Sequence, residues 1–168
     1  MSLAATQRWR VVLVAAAAAL AVGLLGTAAT DLGPWYQSLV KPDWQPPDLL
    51  FGPAWTLIYA LWALSAATAW SAATSRAQRS RLVALFGVNA LLNVLWSELF
   101  FVWQRPDWAL AEVVVLWLSI ILLIVTLAPI SRRASWLLVP YLAWVSFAGA
   151  LNLAVVQLNA PFAPATAG

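Results

Sequence analysis

Five apolar runs, each long enough to cross a bilayer, limit what this chain can fold into. They lie at about residues 9–29, 52–73, 82–103, 108–128 and 135–158. A spanning helix needs about 20 apolar residues, and within the hydrocarbon layer it must satisfy its own backbone polar groups. Only 9% of the 168 residues are charged and 64% are hydrophobic; a soluble domain carries about 25% charged residues. The mean hydropathy is +0.85. The expected fold is an all-α integral membrane protein, one domain over residues 1–168, built as a bundle of five transmembrane helices. The links fall at 30–51, 74–81, 104–107 and 129–134, and no internal repeat is evident.

Charge sets the expected orientation. Arg8 and Arg10 precede the first run, Arg76, Arg79 and Arg81 lie in the second link, and Arg132 and Arg133 in the fourth. The opposite side has only Lys41 and Arg105, against Asp31, Asp43, Asp48 and Asp107. By the positive-inside rule the N-terminus is cytoplasmic in a bacterial inner membrane, and the first link, third link and C-terminus, including Ala165, face outward. The first run has a second reading. Arg8, Arg10, the apolar stretch and "GTAATD" also fit a secretory signal peptide. Cleavage leaves four helices and retention leaves five; charge does not separate the two.

The absent residues narrow the chemistry. There is no Cys and no His, and Met1 is the only Met. Disulfides, thiolate nucleophiles and Ser-His-Asp sites are excluded, and of the usual haem-iron ligands only Tyr remains. No catalytic residue, metal site or cofactor is assigned. The net charge of +3 sits beside apolar segments, which points to membrane lipid as a partner and not to nucleic acid.

Of the twelve Trp, Trp9, Trp70, Trp103, Trp108 and Trp136 fall near span ends, where indoles favour the headgroup layer. Others share deeper faces. Trp55, Tyr59 and Trp62 form one stripe at i, i+4, i+7. Asn89, Asn93, Trp96 and Ser97 form a second, and Tyr141, Trp144, Ala148 and Asn152 a third. At about 1.5 Å per residue, these faces occupy the outer half or middle of the bundle. An intramembrane Asn should face the interior. Helix–helix hydrogen bonding and contact with a ligand both account for Asn93 and Asn152. Three aromatic-plus-amide faces at one depth have the makeup of a small-molecule pocket. Glu98 and Glu112 are the only acids inside spans; pairing with Arg105 is the expected arrangement, with a polar role in the pocket as the alternative.

The first link is long and stiff. "WYQSLVKPDWQPPDLLFGPAW" holds three Trp, four Pro and the only Lys. Proline restricts its own backbone and that of the residue before it, and a loop of this length is usually functional or disordered. Its aromatic content gives it apolar surface to pack downward. It reads as a lid over the pocket, with Trp35, Tyr36 and Trp44 as contacts; a plug in the lipid interface is the other reading.

At these residues the chain resembles the translocator protein family, also called tryptophan-rich sensory proteins or peripheral-type benzodiazepine receptors. The matching pieces are "WYQSLVKPDWQPP", "PAWTLIYALW", "NALLNVLWSELFF" and "VPYLAWVSFAGALN", in the family's order over nearly the whole chain. The resemblance implies five helices with the first retained, often a homodimer. It also implies a cavity beneath the first loop for porphyrins and, in animal members, cholesterol and synthetic ligands. It carries Trp35, Trp44, Trp55, Tyr59, Asn93, Trp96, Trp144 and Asn152 over as pocket positions; Tyr36, Tyr141 and Ala148 complete the set. Two features depart from the family. Glu98 stands where many members have Pro or an apolar residue. Leu153 and Gln157 stand where the proposed sterol motif has Tyr and Arg, which weakens the case for sterol recognition there.

The function expected is a membrane receptor for porphyrins, acting in sensing, transport or scavenging, with a free-base tetrapyrrole favoured over ligated haem. The alternatives are a light- and oxygen-dependent porphyrin-degrading enzyme, as reported for some family members, and a transporter of tetrapyrroles or other hydrophobic ligands. The transporter reading lacks the paired repeats or broken helices common in that class.

Overall fold

A computed structural model describes residues 3–162, with side-chain surroundings from Trp9 onward; Ala165 and the side chain of Arg8 lie outside the described residues. All regular structure among them is helical. The long helices are α1 (Leu3–Ala29), α3 (Phe51–Ala72), α4 (Arg76–Ser97), α5 (Pro106–Leu127) and α7 (Val139–Asn159), and the short ones are α2 (Pro34–Ser38) and α6 (Arg132–Trp136). Five segments are long and apolar enough to cross a membrane. Their outward faces are apolar too: Leu91 is 73% exposed and Val125 63%. Helices apolar on the outside as well as the inside suit a lipid solvent. The chain is an integral, multi-pass membrane protein.

Packing runs α3–α1–α4–α5–α7 around the bundle, and the α7–α3 pairing that closes the ring has the sparsest backbone contact. The core is densest where α5, α6 and α7 meet, with Leu116, Ile120, Leu123, Leu127 and Leu138 almost fully buried. Small residues let α3 approach α6: Ala69 and Ala134 have no exposed surface, and the Ser65 hydroxyl donates to the Ala134 carbonyl at 2.8 Å.

Three expected boundaries need correction. The second link is not 74–81, because α4 already starts at Arg76. Ser75 and Gln78 form a capping box there: Ser75 Oγ accepts from Gln78 N at 3.1 Å, and Gln78 Oε1 accepts from Ser75 N at 3.3 Å. Such reciprocal bonds satisfy two otherwise orphaned donors. The fourth link does not extend to 134. Helix α6 starts at Arg132, capped by Ser131, and the chain re-enters helix at Val139 after a break at Leu137–Leu138. Pro140 lies in the first turn of α7, where its missing N–H is tolerated. The third span is not α-helical throughout. After Ser97 it widens into a π-helical segment, Glu98–Val102, in which Trp103 N donates to Glu98 O at 2.9 Å. Gln104 then takes a positive φ of 53° and reverses the chain into α5.

Candidate ligand pocket

The first loop is folded. Tyr36, on α2, is buried and packs on Phe101 at 5.7 Å between ring centroids. Its hydroxyl donates to Asp48 at 2.9 Å and accepts from Gln45 at 3.2 Å. The Lys41 ammonium lies 3.6 Å above its ring. Burial pushes the Tyr36 hydroxyl up to about 12, and the adjacent Asp48 adds to the shift. A side-chain clamp holds the loop to the end of α7. Asn159 Oδ1 accepts from Val40 N at 2.8 Å, and Asn159 Nδ2 donates to Val40 O at 2.8 Å.

Beneath the loop, aromatic rings follow one another inward. Trp44, 51% exposed, meets Phe147 edge-on at 5.9 Å. Phe147 lies 5.5 Å from Trp144, and Trp144 meets Trp55 at 6.3 Å. Trp55 stacks on Tyr59 at 5.4 Å. Phe51 covers Trp144 from the start of α3 at 5.7 Å. This column fills the α3–α7 seam, where backbone contact is sparsest around the ring, so the rings bridge it. Pairs of this kind contribute about 0.5–1.5 kcal/mol each beyond their burial. The Trp144 indole N–H is buried with no hydrogen-bond acceptor among the described residues.

The column ends on a polar layer. The Tyr59 hydroxyl donates to Asn93 Oδ1 at 2.8 Å, and Asn93 Nδ2 donates to the Tyr141 hydroxyl at 3.0 Å. One turn deeper, Asn89 accepts from the Trp62 indole at 3.0 Å and donates to Ser119 at 2.9 Å. Between these layers and α1 is a cavity of about 10 Å³, lined by Val22, Tyr59, Trp62, Asn89, Asn93 and Tyr141 among others. That is roughly the space of one water. The aromatic rings therefore have to part before a large flat molecule fits.

The structure divides the expected pocket residues. Trp44, Trp55, Tyr59, Asn93, Tyr141 and Trp144 belong to the column and its polar floor. Trp35 and Tyr36 join a second cluster with Leu99, Phe100, Val155 and Phe101, built around the π-helical segment. Trp96 borders both clusters; its indole donates to Asn152 Oδ1 at 3.2 Å, and Asn152 Nδ2 donates to Pro106 O at 2.9 Å. Ala148 is partly buried one turn from Trp144. Asn93 and Asn152 thus make the helix–helix hydrogen bonds that were one of their two readings. The expected pairing of Glu98 or Glu112 with Arg105 does not form. Arg105 is bonded to Asp107 through Nε at 2.7 Å and through Nη2, and lies over the Trp108 ring at 4.2 Å. Asp107 is two residues away and reaches the guanidinium without a long detour.

Sequence reasoning missed Phe51 and Phe147 as column members. Their spacing from Trp55 (i−4) and Trp144 (i+3) was the available signal. It also missed α1. A Cβ on Gly23 would come within 3.3 Å of the Tyr59 ring, so the lack of a side chain there lets Tyr59 lie against α1.

Fold and site together define a polytopic helical membrane protein with an aromatic interior roofed by a folded loop. Residues 11–158 match the TspO/MBR family. Similar proteins include the tryptophan-rich protein TspO of Chlorobaculum tepidum, 42% identical over 83% of this chain and 90% of the relative. The tryptophan-rich protein TspO of Archaeoglobus fulgidus is 43% identical over 85% and 93%. The human translocator protein is 30% identical over 74% and 75%. The chain belongs to the TspO/MBR family.

Proposed function

We propose that this protein is a membrane receptor for porphyrins, taking a flat tetrapyrrole beneath the first loop into the aromatic column between α3 and α7. The observation that carries the reading is the column itself, rings in succession from Trp44 to Tyr59 with one buried, unpartnered indole N–H at Trp144. Stacked indoles suit a planar macrocycle, and a buried donor without an acceptor suits a ligand that brings one. Relatives carry the names tryptophan-rich sensory protein and translocator protein, which agrees with a sensing or carrying role. The seam between α3 and α7 is the natural place to open, because it closes through side chains that can rotate. The loop acts as the lid, hinged on its folded Tyr36–Gln45–Asp48 network and latched at Asn159.

The charge pattern supports a cytoplasmic N-terminus with the loop on the opposite side. Reporter fusions after Arg79 and Arg133 are then cytoplasmic, and fusions after Lys41 and Arg105 are on the opposite side.

The test of the binding role is titration of the detergent-purified protein with protoporphyrin, read as quenching of Trp fluorescence. Saturable quenching is expected. Linear, non-saturating quenching would leave the column as structural packing only.

A further inference from the structure

Charge is spread unevenly along the bundle. The six acids are Asp31, Asp43, Asp48, Glu98, Asp107 and Glu112. None lies in residues 1–30, 49–97 or 113–168, so the end of the bundle away from the first loop has no carboxylate side chain. That end carries seven of the nine basic residues. Arg10, Arg76, Arg79, Arg81, Arg132 and Arg133 are all exposed there. The ion pair found among the described residues, Arg105 with Asp107, is at the opposite end. Like charges gathered without counter-charges repel one another and hold a strong local potential. The anions that neutralise them have to come from outside the chain.

Indoles fix the depth of these guanidinium groups. Trp9 stands between Arg8 and Arg10 in the sequence and is 61% exposed. Trp136 is 67% exposed and follows Arg132 by about one turn on α6. The Arg79 guanidinium lies 5.5 Å from the Trp70 ring and donates from Nη2 to Ala73 O at 3.2 Å. Exposed indoles at the ends of spans sit in the headgroup layer. The arginines beside them are therefore level with lipid phosphates and not out in the aqueous phase. A planar guanidinium matches phosphate oxygens two at a time. Arg79 is already oriented by Trp70 and Ala73, with further N–H donors to offer. Exposed apolar side chains continue from this level into the span, Val83 on α4 and Val125 on α5 among them.

We propose that this end of the bundle is a binding collar for anionic phospholipids. Their headgroups neutralise the arginines while their acyl chains lie along the exposed apolar faces. A zwitterionic lipid brings a phosphate but also a cation, which an all-basic end repels. A soluble acidic protein brings charge but nothing to cover the indoles and the apolar faces. The collar belongs to the end of the bundle opposite the aromatic column, and it stands whether or not the column takes a porphyrin.

The experiment reconstitutes the full chain in phosphatidylcholine bilayers containing a trace of spin-labelled phosphatidylglycerol or spin-labelled phosphatidylcholine. Electron spin resonance reads the fraction of each label that the protein holds motionally restricted. Wild type should prefer the anionic label by roughly fivefold, about what one basic residue near an anionic surface contributes. The preference should shrink in about 1 M salt, where the Debye length is about 3 Å. Arg76→Gln, Arg81→Gln, Arg132→Gln and Arg133→Gln combined should bring it close to equality. The same four positions changed to Lys should keep most of it. Lys41→Gln, at the opposite end, should leave it unchanged. No preference in wild type, a preference kept by the four-Gln variant, or an equal loss in Lys41→Gln would each overturn the collar. Should the four-Gln variant not fold, the two pairs decide, Arg76→Gln with Arg81→Gln and Arg132→Gln with Arg133→Gln. Each should lose part of the preference, and no loss in either pair overturns the proposal.

Discussion

The two ends of the bundle are built differently. At the end away from the first loop, the inner end of the bundle, α3, α5 and α6 meet through small and aliphatic side chains, every buried hydroxyl there is bonded, and a capping box fixes the start of α4. At the outer end, α3 and α7 meet through large rings. The third span is π-helical there, the loop is held by side-chain clamps, and two buried polar groups, Trp144 Nε1 and the Glu112 carboxyl, have no partner among the described residues. The inner end is a fixed base. The outer end has its helix spacing set by rings that can turn, and carries unused hydrogen-bonding capacity. Stability and binding should therefore respond to different residues.

The sharpest way to break that contrast is to insert volume at each end. Ser65→Leu adds bulk where α3 touches α6 and removes the bond to Ala134. It should destabilise by about 3–4 kcal/mol, combining overpacking with a lost buried hydrogen bond. Ala148→Leu adds similar bulk at the outer end. It should lower the unfolding temperature less than half as far, while reducing porphyrin affinity. Thermal unfolding in one detergent measures both. Equal drops would mean the outer end is as rigid as the base.

Trp144→Ala comes next in size. It should weaken protoporphyrin binding by about 1–3 kcal/mol, as for loss of one stacked aromatic plane. Trp70→Ala is the control from the opposite end. Its ring faces Arg79 at 5.5 Å, and its loss should leave binding nearly unchanged. Equal losses in the quenching titration would indicate general destabilisation.

The inner end was largely readable from sequence, and the outer end only in part. Lipid demands helices apolar on all faces, so the five spans stand out by composition alone. The capping box was legible as Ser75-x-x-Gln78, yet three Arg beside it read as a link. Trp55 and Tyr59 fell on one stripe by spacing, and they stack. The π-helical segment, which begins at Glu98, has no comparable local signal. The clamp between Val40 and Asn159 joins residues 119 apart, and no local pattern encodes such a pairing. The separation of Trp35 and Tyr36 from the column was illegible for the same reason, since it follows from how the loop seats on Phe100 and Phe101. The choice of Asp107 over either Glu by Arg105 reflects proximity along the chain, and it leaves Glu112 alone.

The loop offers a smaller effect that sharpens the comparison. Asn159→Ala removes two hydrogen bonds to Val40 and should speed porphyrin release about fivefold, the equivalent of about 1 kcal/mol. Trp44→Ala and the pair Pro46→Gly with Pro47→Gly should also act mainly on release. The first removes the contact with Phe147, and the second enlarges the ensemble that must be ordered on closure. Stopped-flow dissociation in one membrane mimic reads all three. Unchanged rates with normal folding would make the loop a plug in the lipid interface and not a lid.

The smallest effect at neutral pH belongs to Tyr36, and its sign can be worked out. In the folded loop its hydroxyl is pushed up to about 12, first by burial and then by Asp48, from an unfolded value near 10. A folded value above the unfolded one means the docked loop prefers the protonated hydroxyl. The contribution is fully present below about pH 10 and is lost as pH rises toward about 12. Loop docking should therefore be flat from pH 6 to about 9 and weaken above about 10. Tyr36→Phe removes the titrating hydroxyl with its bond to Asp48. It should make release modestly faster at pH 7 and abolish the alkaline acceleration. The measurement is the porphyrin off-rate against pH in wild type and the Phe variant, with tyrosinate absorbance recorded alongside. The chain has only three Tyr, and Tyr59 and Tyr141 lie within the spans, so the transition lost in the variant is assigned to Tyr36. Acceleration that persists in Tyr36→Phe would place the alkaline-sensitive step away from the α2 dock, and the fastening of the outer end would then rest on the Asn159 clamp alone.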